Sequence, residues 1–427
     1  MNLKSKHLTL LFSFSLIFSQ TTIGQCQSLS IDQAVQMALQ NNLDIKIASQ
    51  KENQAQAELN GTKAKYGFTI TLGNTTTVSN GADAHYERDN NTSVSAAYPL
   101  YTAGKKQINT AIKEQSMAQS TLNTQRTVEN IKYDTVKAYY DILEAQQNID
   151  VDQESVNNYD KHLTNVQQLY SAGSVPKSDL LRSEVALSNA KQDLIKARNS
   201  YDISVITFKN IIKMNRDEPL QLTDTFRYIP FDYQMPYCLS YAADNRKDLT
   251  EAKLDYEIAQ KNVELAKADY KPTVDASVSS NWDKQVLPSD MDHDYTIGVS
   301  ASWNVFDNGL TKANVNAAEA ELNQAQLTLQ QKSDSIDLEV RQAYLNMQEA
   351  EKRFNSTQTA VAQAEEDFFI AQEKYRVGAG TTLDVTDAQL ALSTARLNYI
   401  SAQYDYARYK AELENTMGLD DDGETIK

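Results

Sequence analysis

The stretch from Leu169 to Leu181 reads LYSAGSVPKSDLL, and a related stretch from Lys374 to Val385 reads KYRVGAGTTLDV. Three residue types recur between them with a constant separation of 205 residues: Tyr170 with Tyr375, Gly173 with Gly378, and Asp179 with Asp384. A glycine followed by polar residues is typical of the point where one helix ends and another begins. Each stretch is therefore predicted to form the tip of a long antiparallel helical hairpin.

The sequence upstream of each tip predicts one very long helix. Residues 105–172 and 310–377 contain neither glycine nor proline, the two residues that most often interrupt helices. At ~1.5 Å per residue, an uninterrupted helix over either run would be about 100 Å long. A second helical run follows each tip, and in the first half of the chain it is predicted to span residues 178–214.

Helical periodicity gives way to strand periodicity upstream of both long helices. Residues 30–65 place apolar or alanine residues at helical spacing, and Ser30 is the predicted N-cap. Beyond Gly67 apolar residues alternate with polar ones, and this alternation returns after a polar loop. The same switch occurs in the second half of the chain, after Lys271 and Pro272.

The chain is therefore predicted to be a duplicated unit of helix, two strands and helical hairpin. Gly309 matches Gly104, and Asp248 matches Asp44. The predicted organisation is a signal peptide (1–24), a first repeat (25–214) with strands at 67–79 and 92–102 and a tip at 173–179, a connector (215–236), a second repeat (237–418) with strands at 272–283 and 295–307 and a tip at 378–384, and a C-terminal tail (419–427).

Composition and the N-terminus bound the function. The 427 residues carry a formal net charge of −16, which excludes nucleic acid as a partner because phosphate binding needs clustered lysine and arginine. Lys4 and Lys6 precede an apolar stretch over residues 8–18, followed by small and polar residues up to Gly24. This layout is typical of a secretory signal peptide. No later window is apolar enough to predict a transmembrane helix.

The two cysteines leave alternatives open. Cys26 stands where a lipid-modified cysteine could follow a signal peptide, but Gln25 before it is not the small residue expected there. Cys26 is either lipidated or an unmodified residue near the mature N-terminus. A disulfide with Cys238 would suit an oxidising compartment, although the spacing does not favour it.

The four predicted strands indicate a membrane β-barrel rather than a small soluble sheet packed on the helices. Four strands cannot close a barrel, and an open sheet in lipid would leave unpaired edges. Closure then requires several copies, and the residues alone allow two chains with eight strands or three with twelve. Aromatic residues lie at or near the strand ends, as an interfacial girdle requires: Tyr98, Tyr101, Trp282, Trp303 and Phe306.

The long helices, like the strands, require contacts with further elements or copies of the chain. A helix about 100 Å long with a narrow apolar stripe needs neighbouring helices along its whole length. Small residues on the return helices allow close packing in both repeats, for example Ala190 and Ala395. A membrane barrel that continues as a ring of helices would form a tube.

Together, these features resemble those of a known protein family. The signal peptide, the duplicated plan, the YxxG…D tips and the strand exits YPLYTAG (residues 98–104) and WNVFDNG (residues 303–309) are similar to those of the TolC family of outer membrane efflux proteins. The resemblance spans essentially the whole mature chain. It implies a mixed α+β membrane protein, in which a long periplasmic α-helical coiled-coil barrel continues into a 12-stranded transmembrane β-barrel completed by three chains.

The resemblance also implies a location, a function and partners. The chain is expected in the outer membrane, as a homotrimeric exit duct of a tripartite efflux pump or of a type I secretion system. A periplasmic adaptor protein, an inner-membrane transporter and outer membrane lipid are the expected partners, and no cofactor or metal is expected. Small molecules and proteins both remain open as cargo.

The resemblance assigns the gate to the second tip. Asp384 and Asp387 match the aspartate rings at the family's periplasmic constriction, where threefold repulsion would raise the pKa of their carboxyl groups. Tyr375 and Arg182 are further candidates for holding the tip closed. The alternatives are helix capping for Asp384, with Asp179 as its equivalent cap, packing under the turn for Tyr375, and simple exposure for Arg182.

The tips carry the expected adaptor contacts, at Gly173, Asp179, Gly378 and Asp384. Family members often carry a basic residue inside the second tip turn that helps to hold the closed state. Gly380 occupies that place here, which puts that contact in doubt.

Catalysis has no support in the sequence, because no nucleophile–base spacing, zinc pattern or phosphate-binding loop is present. The four histidines are scattered: His7, His85, His162 and His293. The rival to an exit duct is a secreted periplasmic coiled-coil adaptor or scaffold without a pore. Two complete repeats with membrane-type strands argue against that rival.

Overall fold

A computed structural model describes residues 27–80, 86–283 and 293–419. The predicted signal peptide, Cys26 and all but the first residue of the predicted tail lie outside the described residues. The described elements are β1 (Gln27–Leu29), α1 (Ile31–Asn41), α2 (Leu43–Lys65), β2 (Thr69–Asn80), β3 (Tyr86–Tyr101), α3 (Lys105–Ser171), α4 (Lys177–Ile212), β4 (Leu220–Leu222), α5 (Met235–Asn245), α6 (Lys247–Lys267), β5 (Thr273–Asp283), β6 (His293–Ser302), α7 (Leu310–Arg376) and α8 (Thr382–Met417).

Two helical hairpins dominate the molecule. α3 and α7 have 67 residues each, and the return helices α4 and α8 have 36 each. α4 packs along α3, α8 packs along α7, and α3 also contacts α8. Each 67-residue helix is thus continuous over almost all of the run without glycine and proline. No helix in the described part of the chain is both long and apolar enough to cross a membrane.

Each tip is closed by a glycine in the left-handed region. Gly173 has a φ of 77° and Gly378 a φ of 76°. At the first tip, Ser174 N–H donates to the Leu169 carbonyl (2.8 Å) and Gly173 N–H donates to the Tyr170 carbonyl (2.9 Å). This pair of bonds is the Schellman arrangement, which satisfies carbonyls that the ending helix leaves unpaired. An added Cβ would meet nothing within 4 Å at either glycine, so the backbone angle, and not space, requires glycine.

The predicted single helix over residues 30–65 is wrong, because the chain breaks at Asn42 into α1 and α2. Ser30 caps α1 as expected, through a capping box with Gln33. The Asn42 side chain is buried, donates to the Ile211 carbonyl near the end of α4 (3.2 Å) and accepts from Asp44 N–H (2.8 Å). A contact distant in sequence therefore causes the break.

The second repeat breaks at the equivalent position, Arg246, but with different chemistry. Its guanidinium is 2% exposed and donates to both carboxylate oxygens of Asp248 (2.7 Å each). It also donates to Glu339 on α7 (3.0 Å) and to the Thr416 carbonyl near the end of α8 (2.9 Å). Burial opposes ionisation of Asp248, but hydrogen bonds from Arg246 and Lys332 hold the pKa of its carboxyl well below its usual range. In both repeats, one polar side chain thus joins the helix break to the end of the return helix.

The four long strands form one antiparallel sheet in the order β2-β3-β5-β6. Its register aligns side chains in rows across all four strands. One row consists of Ile70, Ala96, Val278 and Ile297. The neighbouring row on the other face consists of Thr71, Ser95, Ser279 and Thr296. Because side chains alternate between faces, one face is mainly apolar and the other mainly polar.

The apolar face is not covered by any other part of the chain that the structure describes. Leu72 is 73% exposed and Ile297 is 72% exposed, although burial of large aliphatic side chains is the rule in a folded protein. β2 and β6, at the two edges of the sheet, have no strand partner on their outer sides among the described residues. The sheet therefore has an apolar face that no other described residues cover, and two edges with which no other described strand pairs.

The strand boundaries depart from those expected. The strand expected at 92–102 begins earlier, at Tyr86, where β3 pairs with Asn80 of β2. The strand expected at 295–307 begins at His293 and ends at Ser302. It ends early because the chain already turns into α7, with the Asp307 carboxylate accepting from Gly309 N–H (3.0 Å) and Thr311 N–H (2.7 Å).

The expected irregular connector contains a strand. β4 pairs in parallel with β1, so that Leu29 aligns with Leu222. α5 begins at Met235, inside the expected connector, and Cys238 on α5 is fully buried in the core of the second repeat. Burial raises the pKa of its thiol to about 11, so this thiol remains protonated at neutral pH.

We expect glycine-to-alanine changes at two positions to alter the stability of the fold in opposite directions. Gly61 lies inside α2 with nothing within 4 Å of an added Cβ, so Gly61→Ala should stabilise the fold by about 0.5–1 kcal/mol through helix propensity. Gly378→Ala should destabilise it by about 1 kcal/mol because of the left-handed φ. Chemical denaturation in detergent, followed by circular dichroism, measures both. Changes of the same sign would contradict the assigned tip geometry.

Candidate functional site

The candidate site is the end of the molecule where α3, α4, α7 and α8 meet at the two tips. Tyr375, near the end of α7, is 9% exposed and packs in a small cluster with Val166 of α3 and Val385 of α8. Its ring centroid lies 4.9 Å from that of His162 on α3. The Thr382 hydroxyl donates to the Tyr375 hydroxyl (3.4 Å). Within one chain, Tyr375 therefore packs under the second turn and joins the two hairpins.

Asp384 lies at the third residue of α8 and belongs to a capping box. Thr381, and not Asp384, is the N-cap. The Asp384 N–H donates to the Thr381 hydroxyl (3.2 Å), while the carboxylate accepts from the Thr381 N–H (2.8 Å) and hydroxyl (2.9 Å). These bonds, first the backbone one, lower the pKa of the Asp384 carboxyl below its usual range. The side chain is exposed, so it can face other groups while it caps the helix.

The first tip is capped differently. Pro176 occupies the N-cap of α4, and its side chain cannot accept a hydrogen bond. Asp179 is the third residue of α4, as Asp384 is of α8, but it is not the expected cap. Its carboxylate lies in the first turn of α4, where its negative charge interacts favourably with the positive end of the helix dipole. The two tips therefore share the same residue spacing, but only the second has the Thr–Asp capping box.

Asp387 and Arg182 are both exposed near the tips. Asp387 follows Asp384 by one helical turn and contributes to the raised pKa of Tyr159, which reaches about 12 mainly through burial. Arg182 forms no ion pair with any residue that the structure describes. A link between these two side chains within one chain is therefore absent from the described part, and each is available to a neighbouring chain.

Gly380 fits tightly inside the second turn. An added Cβ would lie 3.1 Å from the Lys374 Cβ and 3.1 Å from the Tyr375 backbone nitrogen. The Gly380 N–H donates to the Lys374 carbonyl (3.1 Å). A larger residue, basic or otherwise, would require this turn to shift.

A seam of side-chain contacts joins α3 of the first hairpin to α8 of the second. Near the tip the contacts are neutral, and further from it they become ionic. The ion pair at the midpoint joins Arg396 to Glu154 (2.7 Å), and Arg396 also reaches Glu365 of α7 (2.7 Å). The neutral contacts are Asn158 with Gln389 (3.0 Å) and the Tyr159 hydroxyl with the Thr386 carbonyl (3.2 Å).

The seam ends in a half-buried ion cluster around Arg408 of α8. Its guanidinium is 15% exposed and contacts Asp141 (2.9 Å) and Glu144 on α3, and Asp405 on its own helix. Burial alone would lower the pKa of Arg408, but Glu144, Asp405 and Asp141 together raise it. Burial raises the pKa of Glu144, although Arg408 acts in the opposite direction. At Asp405, Arg408 and Arg353 together outweigh burial and lower the pKa of the carboxyl. This cluster was not predicted from the sequence, because its members are up to 267 residues apart.

The predicted interfacial aromatics lie at opposite ends of the sheet. Trp282 aligns with Thr92 and His293 at the end far from the helices. Tyr98, Tyr101, Trp303 and Phe306 lie toward the helical end and are exposed. The Trp303 indole N–H donates to the Tyr270 carbonyl (3.0 Å). From Thr273 to Trp282 the strand is about 30 Å long, and a tilt of about 40° would reduce this to about 23 Å, close to an apolar membrane band.

A sequence profile of the outer membrane efflux protein family matches residues 34–212 and 238–419, one segment in each repeat. The chain belongs to this family. It is an outer membrane protein whose relatives are channel proteins. Both matched segments contain a tip, so the family match includes the candidate site in each repeat.

Individual relatives agree over most of the chain. Outer membrane protein TolC of Escherichia coli is 22% identical over 93% of this chain and 83% of its own length. Outer membrane efflux protein BepC of Brucella suis is 21% identical over 75% of this chain and 70% of its own length. The CmeC outer membrane channel of Campylobacter jejuni superposes with a TM-score of 0.83 at 16% identity, over 98% of this chain and 94% of its own. The last comparison shows the shared fold.

We expect Arg408→Ala to destabilise the protein by about 3–5 kcal/mol, because it leaves Glu144 half-buried without its counter-charge and removes one of the two arginines paired with Asp405. The measurement is the free energy of unfolding in detergent. Arg376→Ala is the matched control, since its pair with Glu373 is exposed and its loss should change stability little. If the two changes lowered the free energy of unfolding equally, the Arg408 cluster would not be a contact that stabilises the packing of the two hairpins.

Proposed function

We propose that three copies of this chain form a channel-tunnel, which is the exit duct of a tripartite efflux pump or of a type I secretion system. The observation that supports this most strongly is the four-stranded sheet, with its uncovered apolar face and two unpaired edges. In lipid, the apolar face would meet hydrocarbon and the polar face would line the lumen. β2 of one copy would pair with β6 of the next, so that no strand edge remains open.

The helices support the same ring. α2 packs on α3, α3 on α6 and α6 on α7, while nearer the tips the order is α4, α3, α8 and α7. α2 and α4 therefore border one side of the chain and α7 borders the other. Both sides carry exposed apolar residues: Leu43, Ile47, Val185 and Ile195 on the first, and Leu327, Leu338 and Leu345 on the second.

Two unlike sides imply a head-to-tail contact, which closes into a ring when the rotation between copies allows it. Two copies would supply eight strands, and the interior of an eight-stranded barrel is about filled by its own side chains. Twelve strands leave room for a water-filled lumen. A duct therefore favours three copies over two, in agreement with the family resemblance.

The gate is proposed at the second tip. In a threefold ring, Asp384 and Asp387 would each form a circle of three carboxylates that attracts cations. Like-charge repulsion in that circle would act against the hydrogen bonds from Thr381 that lower the pKa of Asp384. Tyr375 would help to hold the closed state by joining the hairpins, and Arg182 is free to contact a neighbouring chain.

The tips are also the proposed docking point for a periplasmic adaptor, which would connect the duct to an inner-membrane transporter. Gly173 and Gly378 are exposed and end their helices, and Asp179 and Asp384 begin the return helices. An exposed hairpin end offers both backbone and carboxylates to a partner. The alternative, a periplasmic scaffold without a pore, would leave the apolar face of the sheet in water.

Single-channel conductance in a planar bilayer tests this function. We expect the purified protein to show a small cation-selective conductance, which multivalent cations block from one side. Asp384→Ala/Asp387→Ala should weaken that block severalfold, because it removes six carboxylates from the proposed trimer.

The matched control is Glu366→Ala/Asp367→Ala, which removes equal charge from exposed positions on α7 of the same hairpin. Unchanged block in the first variant would move the constriction away from this tip. Protein that stays soluble without detergent and never conducts would contradict the channel itself.

A further inference from the structure

A buried histidine lies at the contact between the hairpins. His162 on α3 is 9% exposed, and its ring centroid is 4.9 Å from that of Tyr375 on α7. Among the described residues, the His162 Nε2 atom has no hydrogen-bond partner, and it is shielded from solvent. Because this atom is enclosed by one chain, a neighbouring copy in a ring cannot supply the missing partner.

Within the described ranges, the groups around His162 offer no counter-charge. On α3, the residues one turn away on the same face are neutral: Asn158, Tyr159, Asn165 and Val166. From α7 it meets Tyr375, and the cluster around Tyr375 receives Val385 from α8 and Leu180 from α4.

The charged side chains near the tip on the packed helices are exposed or serve other contacts. On α8, Asp384 is exposed and bonded to Thr381, and Asp387 is exposed and acts on Tyr159. On α4, Arg182 is exposed. On α7, Arg376 is exposed and paired with Glu373.

We propose that His162 is an acid-sensitive lock, whose neutral ring holds the two hairpins together at the tip and whose protonation releases them. This inference rests on the proposed channel function and adds regulation to its gate. Protonation would place a positive charge and a second N–H donor in an enclosed site without an acceptor. Attraction between the imidazolium and the Tyr375 ring offsets part of this cost but supplies no acceptor for the buried N–H.

The sign of the pH effect follows from burial. Burial lowers the pKa of His162 below its ordinary value of 6.5. When the tip opens, water reaches the ring and the pKa returns toward 6.5, so the open tip binds the proton more tightly than the closed one. The closed tip is therefore fully favoured above pH 6.5 and loses stability as the pH falls from there through the lowered pKa.

The position of His162 confines this release to the tip. Its contact lies between the neutral part of the α3–α8 seam and the tip turns, whereas the ionic contacts of Arg396 and Arg408 lie further from the tip. Acid should thus separate the tips while the upper hairpins remain joined.

The test is the open probability of single channels at about pH 7.5 and about pH 5, a range that spans the ordinary histidine pKa. For wild type it should rise in acid, by up to about tenfold for each pKa unit by which burial has lowered the pKa. His162→Gln and His162→Phe cannot titrate and should lose this rise. His293→Gln, a change at the start of β6, is the control and should keep it.

A distance measurement makes the test independent of conduction. Spin labels at Ser174→Cys and Ala379→Cys, one in each tip turn, should move apart in acid with His162 and stay in place with His162→Phe. An acid response that persists in both His162 variants would overturn the lock, as would one that is absent from wild type by both readouts. Absence of any conductance, with acid-dependent separation of the labels, would instead count against the proposed channel and support the lock.

Discussion

Backbone hydrogen bonding at the edges of the β2-β3-β5-β6 sheet is the constraint on which the architecture depends. A strand edge carries a row of N–H and C=O groups, and each one left unpaired in hydrocarbon costs several kcal/mol. Within the part of the chain that the structure describes, two such edges remain: the edge of β2, which follows α2, and the edge of β6, which precedes α7. Pairing between copies would satisfy strands and helices in the same contact. The long hairpins, the apolar sheet face and the tips can all be understood as parts of one ring.

The duplication sets the geometry, and a few substitutions make the two repeats differ. Helix lengths are identical in the two hairpins, and both tips turn on a left-handed glycine. The helix break is held by a neutral amide at Asn42 but by a charged guanidinium at Arg246. The first return helix begins at Pro176 without a side-chain cap, whereas the second begins with the Thr381–Asp384 box. As a result, only the second return helix begins with a side-chain cap, and that cap includes Asp384, one of the carboxylates proposed for the gate.

Local patterns in the sequence predicted the long elements, and contacts distant in sequence account for most of what it missed. The absence of glycine and proline from two long runs predicted α3 and α7, and the alternation of apolar with polar residues predicted the strands of the sheet. The extension of β3 back to Tyr86 was missed, because the polar run before Thr92 resembles a loop and becomes a strand only by pairing with β2. The break at Asn42 and the Arg408 cluster both depend on partners more than 160 residues away. For the candidate site, the sequence pointed to Tyr375 and Asp384, whose roles in a gate stay predictions, but not to the enclosed ring of His162.

The number of chains in the assembled protein tests the central claim most directly. Native mass spectrometry of the detergent-extracted protein counts the chains without assuming any function. The account predicts a single species of three chains, in which twelve strands close one sheet. A stable monomer, or a dimer with eight strands, would contradict it, since neither provides a closed barrel with an open lumen.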